Sequence, residues 1–116
     1  GTWYDDNWIT PYIRFTFAPT GGPAELCLTL YGPTDLKAPM LFDIRCGTRA
    51  LATDLVVKPG QALTWSSQIT EPSGDAISIS IRANGAYVPA SNDQRELAAV
   101  LSHCSLSSDQ RMRGAA

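Results

Sequence analysis

Ala76-Ile77-Ser78-Ile79-Ser80-Ile81-Arg82 sets isoleucine against serine, and at its end against arginine, at a strict period of two. Successive side chains of a strand point to opposite faces. This run therefore reads as a strand with Ile77, Ile79 and Ile81 on a buried face and Ser78, Ser80 and Arg82 on a solvated one. The same period recurs on either side of it. Tyr12-Ile13-Arg14-Phe15-Thr16-Phe17 places Ile13, Phe15 and Phe17 inward and Tyr12 and Arg14 outward. Glu25 to Tyr31 turns Leu26, Leu28 and Leu30 to the core. Met40 to Cys46 turns Met40, Phe42, Ile44 and Cys46 inward, with Asp43 and Arg45 outward. Shorter alternating pieces stand at Leu55-Val56-Val57 and Leu63-Thr64-Trp65, and a last strand is expected from Ala98 to Leu106. In that strand Val100, Ser102 and Cys104 are taken as inward and His103 as outward, the reverse phase being the alternative.

Turn chemistry separates these runs: Pro19-Thr20-Gly21-Gly22-Pro23, Gly32-Pro33-Thr34-Asp35, Lys58-Pro59-Gly60-Gln61, Glu71-Pro72-Ser73-Gly74-Asp75 and Ala83-Asn84-Gly85. Seven to eight short strands at such spacing predict an all-β fold, a two-sheet antiparallel β-sandwich of jelly-roll type. Asp93 to Leu101 has helical propensity, and Ser91 or Asn92 is a fitting cap, so a short helix or turn is expected before the last strand. Residues 1–106 are read as one domain, and 107–116, without periodicity, as a tail or linker. The abrupt start reads as a domain taken from a longer chain.

At 116 residues, 44% of them hydrophobic, the chain can close a single core without disulfides. A formal net charge of −2 with scattered basic residues gives no footprint for nucleic acid. No apolar run approaches the ~20 residues of a membrane span. Cys27, Cys46 and Cys104 are odd in number and fit no metal knuckle, so free thiols in a reducing, cytoplasmic compartment are the simpler reading.

Catalysis finds little purchase. A nucleophile needs an adjacent base, and the one histidine, His103, has no placeable partner. The loop acids read as solvation and turn formation. No enzyme, metal or cofactor is expected. Asp5-Asp6-Asn7 offers oxygens of the kind calcium prefers, but three in succession lack the spacing of a calcium loop.

Gly1-Thr2-Trp3-Tyr4-Asp5-Asp6-Asn7-Trp8 is the densest aromatic stretch. Trp3, Tyr4 and Trp8 offer stacking faces for sugar C–H groups, with Asp5, Asp6 and Arg14 as hydroxyl partners and Tyr12 as a second platform. The same rings also suit a core lid, or anchors against a neighbouring domain or a twin copy. The outward Tyr12, Arg14, Asp43, Arg45, Ser78, Ser80 and Arg82 form a further polar platform. Asp93 and Arg95 are read as pairing with each other or with a nearby loop, fixing the long connection before the last strand.

The order of these features, from Trp8-Ile9-Thr10-Pro11 through Lys58-Pro59-Gly60 to Pro89-Ala90-Ser91-Asn92-Asp93-Gln94-Arg95-Glu96-Leu97, resembles small β-sandwich modules that accompany bacterial glycosyltransferases building cell-surface polysaccharides. That pattern places a glycine after the leucine, where this chain has Ala98. The resemblance implies a non-catalytic, carbohydrate-binding accessory module with a glycan ligand and an adjacent catalytic domain as partners.

Overall fold

The computed structural model describes residues 1–18, 23–70, 76–89 and 95–108. Eight strands follow in order: β1 (Trp8–Ile9), β2 (Tyr12–Phe17), β3 (Ala24–Tyr31), β4 (Met40–Cys46), β5 (Arg49–Val57), β6 (Ala62–Ile69), β7 (Ile77–Ala83) and β8 (Ala99–Ser108). They form two four-stranded antiparallel sheets, β1-β8-β3-β6 and β2-β7-β4-β5. The pairs β1·β8, β2·β7, β3·β6 and β4·β5 are nested about the β4–β5 turn. The chain is thus one long two-stranded ribbon folded at Gly47-Thr48 and wound so that β3 meets β8 and β4 meets β7. That is the topology of a jelly roll, wound from the half-buried antiparallel strands that the alternation predicted.

The isoleucine–serine run lies at the centre of its sheet. Ile77, Ile79 and Ile81 are buried, and β7 pairs on one side with β2 and on the other with β4. Across the sandwich, Leu26, Leu28, Leu30, Ile69 and Leu101 meet Ile13, Phe42, Ile44, Ile79 and Ile81 in one core whose buried residues are all apolar. Each such side chain contributes roughly 1.5–3 kcal/mol of burial free energy. Trp65 packs its half-buried ring against this core from edge strand β6.

Several boundaries differ from the sequence expectation. Strands β5 and β6 run well beyond Leu55–Val57 and Leu63–Trp65. They are sheet edges that bury one side only partly, so polar residues blur their alternation. β8 continues past Leu106, with Ser107 and Ser108 pairing with Glu25 and Ala24; the rest of the segment read as a tail, 109–116, lies outside the described residues.

Among the described residues there is no helix, hence none long and apolar enough to cross a membrane. Where a short helix or turn was expected, Arg95 to Ala98 form neither, Ala99 onward is strand, and Leu97 exchanges backbone hydrogen bonds with Tyr87. Ala90 to Gln94, including Asp93, lie outside the described residues. Ala98 is fully buried, donates its N–H to the Ile9 carbonyl at 2.9 Å and does not have a positive φ. The backbone there does not require the glycine of the resembling pattern.

The phase of β8 also corrects the expectation. Thr29 faces His103, but Leu30 faces Leu101, so Ser102 is bulged out of the ladder. Ala99 and Leu101 are inward before the bulge, and Cys104 and Leu106 pack against the core after it. Val100 and Ser102 therefore do not face the core, whereas Cys104 does. A bulge inserts one residue and flips every following side chain.

Candidate functional site

The aromatic-acidic opening is a tight hairpin. Tyr4 N donates to the Trp8 carbonyl at 2.8 Å, and Asn7 N to the Tyr4 carbonyl at 2.9 Å, closing a three-residue loop of Asp5, Asp6 and Asn7. Asn7 adopts φ 71°, the left-handed conformation that asparagine tolerates best after glycine. Asp6 Oδ1 accepts the Trp8 N–H at 3.4 Å, an Asx-type contact. Turn formation thus occupies the Asp6 carboxylate, one of the polar groups that the sequence offered to a ligand.

Arg95 reaches back to this turn. Its Nη2 donates to Asp6 Oδ2 at 3.0 Å and its Nη1 to Oδ1 at 3.3 Å, while its guanidinium carbon lies 4.6 Å from the Tyr4 ring centroid. The hydrogen-bonded guanidinium holds the Asp6 carboxyl below its ordinary pKa. Arg95, just before β8, is thereby tied to the hairpin through Asp6. The Trp8 indole stacks on Tyr87, with centroids 5.8 Å apart and planes 13° apart. The Tyr87 hydroxyl donates to the Asp35 carboxylate, 2.6 and 2.8 Å from its two oxygens, which pushes the phenol pKa up. Tyr4, Asp6 and Trp8 are therefore engaged by the protein itself. Asp5 is exposed at the turn. Trp3 bridges to Ile9 and lies 6.4 Å from Phe15, yet remains 41% exposed. Its two neighbours lie on the edge strands β1 and β2.

Tyr12 and Arg14 lie elsewhere, on the outer face of β2-β7-β4-β5. Register aligns two rows there. Tyr12 pairs with Arg82 and Arg82 with Asp43; Arg14 pairs with Ser80 and Ser80 with Arg45. Neighbouring strands are about 4.8 Å apart, so each row spans roughly 10 Å across three strands. At the end of β4, Gly47 adopts φ 59°, a conformation that favours glycine, and donates its N–H to the Ser78 carbonyl at 2.9 Å. The turn is thereby held down against β7.

Tyr12, Asp43, Arg45, Gly47, Ser80 and Arg82 enclose a recess of about 220 Å³. The Arg82 guanidinium sits 4.7 Å from the Tyr12 ring centroid, and the ring remains 38% exposed. Arg45 Nη1 donates to the Thr48 carbonyl at 3.0 Å. Asp43 Oδ1 accepts the Asp54 N–H at 3.0 Å, where Asp54 takes φ 56° in a bulged part of β5. These contacts orient the planar groups and leave further donors and acceptors on each. An aromatic face, two guanidinium forks, a carboxylate and a hydroxyl converge on one shallow depression. Such a set can stack against an apolar ring edge and hold vicinal hydroxyls.

Of the sequence candidates, the structure brings Tyr12 and Arg14 to this face and leaves Trp3, Tyr4, Asp5, Asp6 and Trp8 at the hairpin. Asp43, Arg45, Ser80 and Arg82 complete the recess. Their outward phase was visible in the alternation, but their adjacency depends on strand order. The remaining reactive side chains are placed apart. His103 is exposed on the outer face of the other sheet, with its Nε2 3.1 Å from Ser105 Oγ. Cys27, Cys46 and Cys104 form no disulfide, and burial pushes the Cys104 thiol up to about 11, with a smaller contribution from Cys27. Among the described residues no group of three or more His, Cys, Asp or Glu is placed to hold a metal ion. Comparisons with protein-family models, with curated proteins and with solved structures each find no match to this chain.

Proposed function

We propose that this β-sandwich is a non-catalytic carbohydrate-binding module whose glycan site is the outer-face recess of β2-β7-β4. The observation that carries the proposal is the convergence of Tyr12, Asp43, Arg45, Ser80 and Arg82 on one depression of about 220 Å³. Drug-sized sites occupy roughly 300–1,000 Å³, so this one suits a single sugar unit of a chain that continues into solvent. One aromatic face and a few hydroxyl contacts on a shallow surface give weak binding, on the order of 10 μM to 1 mM. Association with a bacterial polysaccharide glycosyltransferase, in a reducing cytoplasmic compartment, rests on the sequence resemblance and the odd cysteine count.

The test is a glycan array followed by titration of ¹⁵N-labelled protein. A binding saccharide shifts the amides of Tyr12, Ser80 and Arg82, and Tyr12→Ala weakens it by about 2- to 10-fold, the range of one aromatic contact. Absence of any saccharide response at these amides refutes the proposal. Trp3, exposed at the sandwich edge, favours a second reading, a scaffold surface for a neighbouring domain or a twin copy. If Trp3→Ala abolishes association in size-exclusion chromatography and Tyr12→Ala leaves saccharide titrations unchanged, the scaffold reading replaces the first.

A further inference from the structure

Three guanidinium groups share the outer face of β2-β7-β4. Arg14 and Arg45 flank Ser80 from opposite strands, and Arg82 lies two residues along the same central strand. Among the described residues none of the three forms an ion pair. Arg14 forms no hydrogen bond either, Arg45 gives one to a backbone carbonyl, and Arg82 rests on the Tyr12 ring. Opposing them, Asp43 lines the recess, and Asp54 joins it only in a smaller adjoining depression of about 90 Å³. A chain with net charge −2 thus concentrates positive charge around this aromatic-lined recess.

Hydroxyl recognition does not require this excess. A neutral sugar is served by one carboxylate, one hydroxyl and a single guanidinium fork. Arginine stays protonated at every accessible pH, and its planar fork matches the two oxygens of a carboxylate or phosphate. Building on the glycan-binding proposal, we infer that the recess takes the acidic unit of a polysaccharide, a sugar bearing a carboxylate or a phosphate. The Tyr12 ring receives the sugar ring. The oxyanion lies over Ser80, between Arg14 and Arg45, with Arg82 at its side. Asp43 accepts a hydroxyl on the opposite edge and repels a misplaced anion.

The experiment screens an array of uronate-bearing, phosphate-bearing and neutral oligosaccharides. The strongest binder of each class is then titrated calorimetrically at low and high sodium chloride, with inorganic phosphate as a further probe. One acidic class binds about tenfold or more tightly than its neutral counterpart at low salt, and high salt erases most of that gain by screening. Arg45→Gln and Arg14→Gln each reduce the acidic binder's affinity several-fold, a clearly larger loss than either causes in the neutral binder, and equal losses in both overturn the acidic inference. Comparison of the uronate and phosphate arms identifies which oxyanion the face selects. If neutral saccharides shift the same amides with equal affinity, the acidic inference is overturned and the glycan-binding proposal stands. If inorganic phosphate binds as tightly as any saccharide, or no saccharide binds at the recess, both are overturned.

Discussion

Leu101 and Val100 are adjacent on β8 and differ by one methylene; the pleat sends them to opposite faces, and the bulge at Ser102 is what allows Leu101 to be the inward one while Cys104 also faces the core. Leu101 is fully buried between the sheets, whereas Val100 is half-buried on the outer face, opposite Trp8 and Tyr31. Leu101→Ala removes three buried carbons, about 2.4 kcal/mol of transfer free energy at ~0.8 kcal/mol per carbon. The cavity left behind raises the total to about 3–4 kcal/mol. Val100→Ala removes two half-exposed carbons and costs about 1 kcal/mol or less. With a urea slope of roughly 1–3 kcal/mol/M, the first substitution lowers the unfolding midpoint by about 1–4 M and, at the same slope, the second by about a third of that or less. Equilibrium urea unfolding followed by tryptophan fluorescence and circular dichroism measures both. Equal or reversed costs refute the placement of the bulge, and with it the register that aligns β8 with β3.

Three further outcomes test other parts of the structure. Asn7→Ala keeps a β-carbon in the left-handed region but loses the short polar side chain that eases that conformation, and lowers stability by about 1 kcal/mol, while Asn7→Gly is near neutral; a thermal melt in which alanine and glycine behave alike contradicts the hairpin loop. Asp6 has a folded-state pKa below its unfolded one, so its stabilising contribution is complete above about pH 4 and fades as pH falls through the folded value. Asp6→Asn therefore lowers stability at pH 6 but not at pH 2, and an equal loss at both pH values excludes the clasp with Arg95. The Cys104 thiol, raised to about 11, alkylates with iodoacetamide at pH 8 far more slowly in the folded protein than in urea; mass-mapped labelling at the unfolded rate removes it from the core.

Alternation alone determined most of the architecture. Ile77, Ile79 and Ile81, with the matching sets on β2, β3 and β4, could only be half-buried strands, and the proline- and glycine-rich joints between them required an antiparallel stack. The outward Tyr12, Arg14, Asp43, Arg45, Ser80 and Arg82 were visible as a solvated set for the same reason. Period two records which side a residue faces and carries no information about which strand lies beside it. Only the winding of the ribbon placed β7 between β2 and β4, turning residues from three distant segments into one recess. Tertiary structure likewise decided the fate of Asp6 and Trp8, whose partners Arg95 and Tyr87 are about eighty to ninety residues away, and the Ser102 bulge, which local pattern hides because either phase of β8 offers some apolar residues. Short-range sequence encodes the face of each strand; long-range pairing, selected by burial of the whole core, creates the site.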